Sequence, residues 1–216
     1  MTLNHPARLI HRLRLLALFL ILPLLAGCFG AAAVGVGGGV LLLSDRRPSE
    51  TYVTDEGIEL RAGNRISENF GTKVHVNVTS YNRMVLLTGE APSGQAKAEV
   101  EKIVAGVPNV KSVSNELAIA GPSSMGGRSN DAYLTSKVKA RFVDAQKFSA
   151  NHVKVVTEAG VVFLLGLVTQ AEADAAVNIA RTTGGVQKVV RVLEIISPEE
   201  ARRLDAPPAE HQAPVK

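Results

Sequence analysis

The chain has 216 residues, 46% hydrophobic but only 4% aromatic, with no Trp and a single Cys. That composition allows one domain or two small ones with cores of Val, Leu, Ile and Ala, and it excludes an internal disulfide framework. The formal charge of +4 does not point to nucleic acid: Arg8, Arg12 and Arg14 fall in the first 27 residues, which hold no acid, and the remainder carries 21 basic and 20 acidic residues.

The first 27 residues read as a basic n-region followed by an apolar run from Leu15 to Leu25, broken only by Pro23. The run is well short of the roughly 20 apolar residues that a membrane-crossing helix needs. It ends in Leu25-Ala26-Gly27-Cys28, which resembles the lipobox of bacterial lipoproteins at all four positions. The resemblance implies a signal peptide over residues 1–27, cut just before Cys28. It also implies diacylglycerol on the Cys28 sulfur and an acyl chain on its new amine, with no other cofactor. Residue 29 is Phe rather than Asp, which in that group implies sorting to the outer membrane.

Residues 29–43 are small and apolar, with Gly35, Gly37, Gly38 and Gly39. A phosphate-binding loop would need a preceding strand, a following helix and usually a Lys; none is present, and the segment reads as a tether. Ser44 to Tyr52 is polar, contains Pro48 and reads as linker.

The rest repeats itself. At an offset of 77, His75, Val76, Val78, Val85, Leu87 and Gly89 fall on His152, Val153, Val155, Val162, Leu164 and Gly166. At 76, Ile103, Val110, Val113 and Leu117 fall on Ile179, Val186, Val189 and Leu193. Upstream, Ile66 and Phe70 are set against Val138 and Phe142. Each repeat reads helix, strand, strand, helix, strand. In the second, Leu134, Val138 and Phe142 recur every four residues as an apolar stripe, with Asn130 or Asp131 as a cap. Val153 and Val155 alternate with polar neighbours, Glu158-Ala159-Gly160 turns the chain, Val161–Leu165 returns, Gln170–Arg181 is an Ala-rich helix and Val186–Ile196 the last strand. The first repeat copies this with 72–79, 84–88, 93–105 and 110–119. The expected fold class is α+β: two tandem αββαβ domains, each with two helices packed on one face of a three-stranded sheet. The expected boundaries are a leader over 1–27, a lipidated Cys and flexible linker over 28–54, domains over 55–120 and 129–197, a linker over 121–128, and a disordered tail over 198–216.

The element order, the strand-end glycines and the closing run Gly106-Val107, Val110, Val113, Asn115, Leu117 resemble the BON domain. The second copy keeps Val186, Val189 and Leu193 but has Arg191 at the Asn position. With the lipobox, the whole chain resembles the dual-BON outer-membrane lipoproteins. The resemblance implies a non-enzymatic, lipid-anchored protein on the periplasmic face of the outer membrane, associated with phospholipid and with outer-membrane integrity. The alternative is an adaptor docking on envelope assembly or division machinery.

No residue constellation supports catalysis or a metal. His75 and His152 read as surface positions matched by descent, and Glu99/Glu101 and Glu172/Asp174 as solvated helix charges. The two repeats differ in charge: Glu50–Ala120 nets −2 and Arg128–Ile196 nets +3. The second is thus suited to anionic phospholipid headgroups, at about 1 kcal/mol per basic residue near the surface. On its first helix, Tyr133, Lys137 and Arg141 follow one another at four-residue spacing beside the apolar stripe, an aromatic at the end of a cationic row that suits a bilayer interface. A solvated helix side with an incidental Tyr gives the same pattern. The equivalent face of the first repeat is read as Arg61, Arg65 and Asn69, without an aromatic.

Overall fold

Helix α1, Ser49–Phe70, forms where Ile58, Ala62 and Ile66 recur every four residues, and all three are buried on one face. Strands β1, His75–Tyr81, and β2, Met84–Ala91, form an antiparallel hairpin. Helix α2, Gly94–Ala105, is capped by Ser93, whose hydroxyl accepts from the Ala96 N–H. It returns the chain to β3, Ser112–Asn115, and β4, Ala118–Ile119, both parallel to β2. The second repeat gives α3, Met125–Ala145, a short 3-10 turn at Ala150–His152, β5, Lys154–Glu158, β6, Val161–Val168, α4, Gln170–Arg181, and β7, Lys188–Ile195. A last helix, α5, spans Pro198–Asp205. The computed structural model describes residues 45–121 and 125–206. These fall within one compact unit, Leu43–Lys216. The leader, Cys28 and the far tail lie outside the described residues.

Each repeat is the expected α+β unit. One core packs Ile58, Ala62, Val85, Leu87, Val100 and Val104 between α1, α2 and their sheet. The other packs Val138, Phe142, Val155, Val162, Leu164 and Ala176 in the same way. The matched glycines sit where a side chain cannot: a Cβ on Gly89 would collide with the carbonyl oxygen of His75, and one on Gly166 with that of His152. Gly89 also has φ +107°, open to glycine without strain.

The second face of each sheet is covered as well. Tyr81, Leu86, Phe163, Leu165 and Leu167 form a third core, with Val156, Val190 and Val192 packed against it. The two sheets therefore face one another, with helices outside both, and the domains are not independent beads. β6 accordingly reads VVFLLGLV and is buried at every position but the first, the continuous apolar pattern of a strand covered on both sides. Polar contacts rim this core: Asn77 Nδ2 donates to Glu158 Oε2 at 2.9 Å, Asn82 Nδ2 to Glu194 Oε2 at 2.8 Å, and Lys154 Nζ to Glu59 Oε1 at 3.3 Å.

Several local expectations are corrected. Helix α3 begins at Met125, inside the stretch expected to be linker. Asp131 therefore lies within the helix rather than capping it, and its carboxylate accepts the N–H groups of Ala159 and Gly160 in the β5–β6 turn. Asp55 does the same in the first repeat for Asn82 and Arg83. This pairs the two first helices at an offset of 76, one turn away from the offset read in the sequence. Ile58, Ala62 and Ile66 then match Leu134, Val138 and Phe142, and Gly57, Arg61 and Arg65 match Tyr133, Lys137 and Arg141. The tail expected to be disordered starts with α5. Ser197 caps it, Pro198 opens it, and Glu199 and Glu200 in the first turn face Arg202 and Arg203 in the last. The linker expected up to residue 54 gives way to α1 at Ser49, and Asp45–Arg47 before it is held by ion pairs. Asn115 explains the break between β3 and β4. Its Nδ2 donates to the Lys97 carbonyl and Glu101, and its Oδ1 accepts from Leu117 N–H. With Arg191 at that position, β7 runs unbroken.

Candidate functional site

Tyr133, Lys137 and Arg141 do share one side of α3. Tyr133 is 63% exposed, and the Lys137 ammonium lies 5.9 Å from its ring centroid. The two cations are not free rods in solvent. Lys137 Nζ donates to the Gly184 carbonyl at 3.0 Å. Arg141 Nη1 donates to the Ile179 carbonyl at 2.9 Å and to the Thr183 hydroxyl at 2.7 Å. Both side chains thus satisfy groups at the end of α4, where orphan carbonyls and the negative dipole end favour cations. Arg65 plays the Arg141 part in the first repeat, donating to the Gly106 carbonyl after α2. Val143, 61% exposed on the same helix, adds an apolar residue that the sequence reading passed over, with Lys139 exposed nearby in the chain. At the position of Tyr133 the first repeat has Gly57, and Arg61 lies over it. Its α1 instead exposes Val53 at 70% and Leu60 at 66%, two turns apart and among Glu50, Glu56 and Glu59.

The second constellation involves the residues that precede α1. Arg46 is buried and makes five bonds. Its guanidinium meets Glu172 through Nη1 at 2.7 Å and Nη2 at 3.0 Å, and Asp205 through Nε and Nη2 at 2.8 Å each; Nη1 also donates to the Leu167 carbonyl. Arg47 turns the other way. It pairs with Asp55 at 2.8 Å and Asp45 at 2.6 Å and lies 4.0 Å from the Tyr81 ring centroid. Adjacent arginines thus bind opposite repeats, and the chain leading from Cys28 is fastened where the two domains meet. The acceptors are built for this: Thr169 and Glu172 form a capping box at the start of α4, and Asp205 ends α5.

His152 closes this cluster. It is buried, contrary to the expected surface position, with Nδ1 3.6 Å from Glu172 and Nε2 3.5 Å from Asp205, and Nδ1 has no hydrogen-bond partner. Burial, and then the Arg46 charge, hold its pKa below the ordinary 6.5. Burial would raise the Glu172 carboxyl, but Arg46 and the Thr169 N–H prevail and hold it at about 2, against an ordinary 4.5. Acid should therefore weaken the fold in two steps. Below pH 6.5 the unfolded chain takes a proton that the folded imidazole refuses; from 4.5 downwards it protonates a carboxyl that the fold keeps ionised. Urea midpoints at about pH 7.5 and 5.5 check the first step. His152→Gln should flatten the difference between them, and an unaltered difference would place the acid sensitivity elsewhere.

Among the described residues, no helix is long and apolar enough to cross a membrane. The model of the BON domain family matches residues 54–121 and again 130–197, more than half of the chain. The outer membrane lipoprotein DolP of Haemophilus influenzae is 38% identical over 173 residues, covering 77% of this chain and 89% of that protein. The 21 kDa hemolysin of Actinobacillus pleuropneumoniae is 35% identical over 154 residues, covering 70% and 79% respectively. The osmotically-inducible protein Y of Escherichia coli is 36% identical over 117 residues, covering 53% of this chain and 58% of its own length.

Proposed function

The chain belongs to the BON-domain family, and we propose that it is a non-enzymatic outer-membrane lipoprotein, anchored through Cys28 on the periplasmic face, whose second domain meets anionic phospholipid. The name of the Haemophilus influenzae relative and the lipobox support the anchor and its membrane. The observation that carries the lipid contact is the exposure of Tyr133 and Val143 on the outer side of α3, in the domain that nets +3. A Tyr can place its ring below the headgroups and keep its hydroxyl among them. Lys137 flanks it at the end of α4, and Arg141 holds the helix pair together rather than standing out as a free charge. Binding through one helix is weak and salt-sensitive; the anchor raises its effective concentration at the surface.

Flotation of the lipid-free chain from residue 29 onward, with vesicles rich in phosphatidylglycerol and with neutral vesicles, tests this. Tyr133→Ala with Lys137→Glu should reduce anionic-vesicle binding at least tenfold. Arg61→Glu, on the matching face of the first domain, should change it less than twofold. Equal losses from both would remove α3 from the contact.

A second reading has its own observation. Val53 and Leu60 stand exposed on α1 among acidic residues, a surface unsuited to anionic lipid and suited to a protein of the envelope assembly or division machinery. On that reading the first domain docks the partner and the second holds the membrane. Co-purification lost with Val53→Ser/Leu60→Ser but kept with Tyr133→Ala would support it.

A further inference from the structure

The two matched histidines sit in comparable settings that are completed differently. His152 lies between Glu172 and Asp205, and the Arg46 guanidinium fills the space among them. His75 lies between Glu90 and Glu158: the Nδ1 of His75 is 2.8 Å from Glu90 Oε2, and the donor atoms of all three side chains lie within 4.8 Å of one another. The described bonds to these carboxylates come from His75 and from Asn77, whose Nδ2 donates to Glu158 Oε2. Neither is a fixed positive charge. Yet the Glu90 side chain is only 8% exposed, and a buried carboxylate without a full counter-charge is costly.

We infer that His75, Glu90 and Glu158 form a site for a divalent transition-metal ion bridging the two domains. His75 and Glu90 stand opposite one another on β1 and β2; Glu158 comes from β5 of the second domain. One imidazole nitrogen with two carboxylate oxygens is a ligand set suited to zinc, with water in the remaining positions. Room for that water is present, because His75 and Glu158 line an open cavity of about 420 Å³ with Asp131 and Arg128. Asp131 is committed to the Ala159 and Gly160 N–H groups but adds a second carboxylate to the cavity that Arg128 shares. The same face of β2 holds a further sign of unmet polarity: Thr88 Oγ1, across the ladder from Asn77, is buried without a hydrogen-bond partner. The ion takes the place now held by the hydrogen bond between His75 Nδ1 and Glu90 Oε2. Asn77 keeps one oxygen of Glu158, and the other turns to the metal.

Because Glu158 and the His75–Glu90 pair belong to different domains, binding locks the sheet-to-sheet packing. The experiment is calorimetric titration of the full lipidated chain in detergent, after chelator treatment, with zinc chloride and, in parallel, magnesium and calcium chloride. One equivalent of zinc should bind, the thermal midpoint should rise with zinc concentration, and magnesium and calcium should do neither at the same concentrations. His75→Asn and Glu158→Gln should each weaken zinc binding at least tenfold, with far-UV circular dichroism and the metal-free midpoint close to those of the parent. His152→Gln, in the cluster already filled by Arg46, should leave zinc binding unchanged. Absence of zinc binding overturns the site and leaves Arg128 as its charge balance. Binding that survives both His75→Asn and Glu158→Gln places the ion elsewhere in the chain and overturns it equally.

Discussion

Replacing Cys28 by Ala should abolish membrane attachment, leaving either an uncleaved precursor or a product that separates from the outer-membrane fraction. Cys28 is the only thiol in the chain, so no neighbouring residue can take the diacylglycerol in its place. Each buried methylene contributes about 0.8 kcal/mol, and stable anchoring takes two lipid signals or more. Three acyl chains on one residue, as the lipobox implies, would outweigh anything that the Tyr133 face adds, and the expected change in the membrane-bound fraction is near complete. Two-phase detergent partition and density-gradient fractionation read it directly. Correctly processed Cys28→Ala protein in the outer-membrane fraction would remove the anchor. The contrast with the α3 variants separates two layers of the proposed function. Tyr133→Ala/Lys137→Glu should leave the full protein anchored in cells while its lipid-free form no longer floats with vesicles.

The repeat and its element types were legible because each residue pair that revealed them has a local cause. Gly89 and Gly166 match because the backbone of β1, or of the 3-10 turn that leads into β5, leaves no room for a Cβ. Val85 and Leu87 match Val162 and Leu164 because they face equivalent helices. What misled the alignment of the first helices is the helix itself. A slip of four residues moves each apolar position by about one turn and leaves the stripe looking the same, so Ile66 could be set against Val138 when its structural counterpart is Phe142. The polar residue that fixes the register, Asp55 against Asp131, carries no periodic signal. Its meaning depends on a hairpin turn 27 to 29 residues further on, and the linear reading took Asp131 for a simple cap.

The sheet-to-sheet core was legible in part. The unbroken apolar run of β6 is the mark of a strand covered on both faces, whereas β2 places Thr88 and Glu90 on the covered face and hides the same arrangement. The arginine pair was the hardest to see. Arg46 and Arg47 stand in a polar, Pro-bounded stretch that composition reads as linker, and apart from Asp45 beside Arg47 the side chains they pair with lie 8 to 159 positions away. Buried charges of this kind obey no local pattern; only the meeting of Glu172, Asp205 and His152 in space gives Arg46 a place to go. The stripe on α3 shows the converse. Its spacing was read correctly, but the sequence could not tell that the carbonyls after α4 come within reach of Lys137 and Arg141.

Asp55→Ala should be the most destabilising of the polar substitutions, costing about 3–5 kcal/mol, as expected when one partner of a buried ion pair is removed. The carboxylate accepts from Ser80 Oγ at 2.7 Å, Asn82 N–H at 2.8 Å, Arg83 N–H at 2.7 Å and Arg47 Nη1 at 2.8 Å. Asn82 and Arg83 both have positive φ, 50° and 66°, so the β1–β2 turn is a left-handed one built without glycine. Such residues cost about 1 kcal/mol or more each and persist where surrounding bonds compensate. Asp55 supplies those bonds, and its removal leaves two N–H groups and the Arg47 guanidinium to find others. Asp131→Ala is the internal control. It loses the same two kinds of N–H bond, but its turn is Ala159-Gly160, where glycine takes the second left-handed position. It should cost about 1–3 kcal/mol. Because Arg47 also leaves Asp55, the loss should reach the tether: trypsin should cut after Arg46, whose side chain is buried in the parent, faster in Asp55→Ala than in Asp131→Ala. Urea denaturation and the proteolysis rate together check this. Equal costs for the two substitutions, with equal cleavage, would mean that Arg47 contributes nothing through Asp55 and that the hairpin and the tether are held independently.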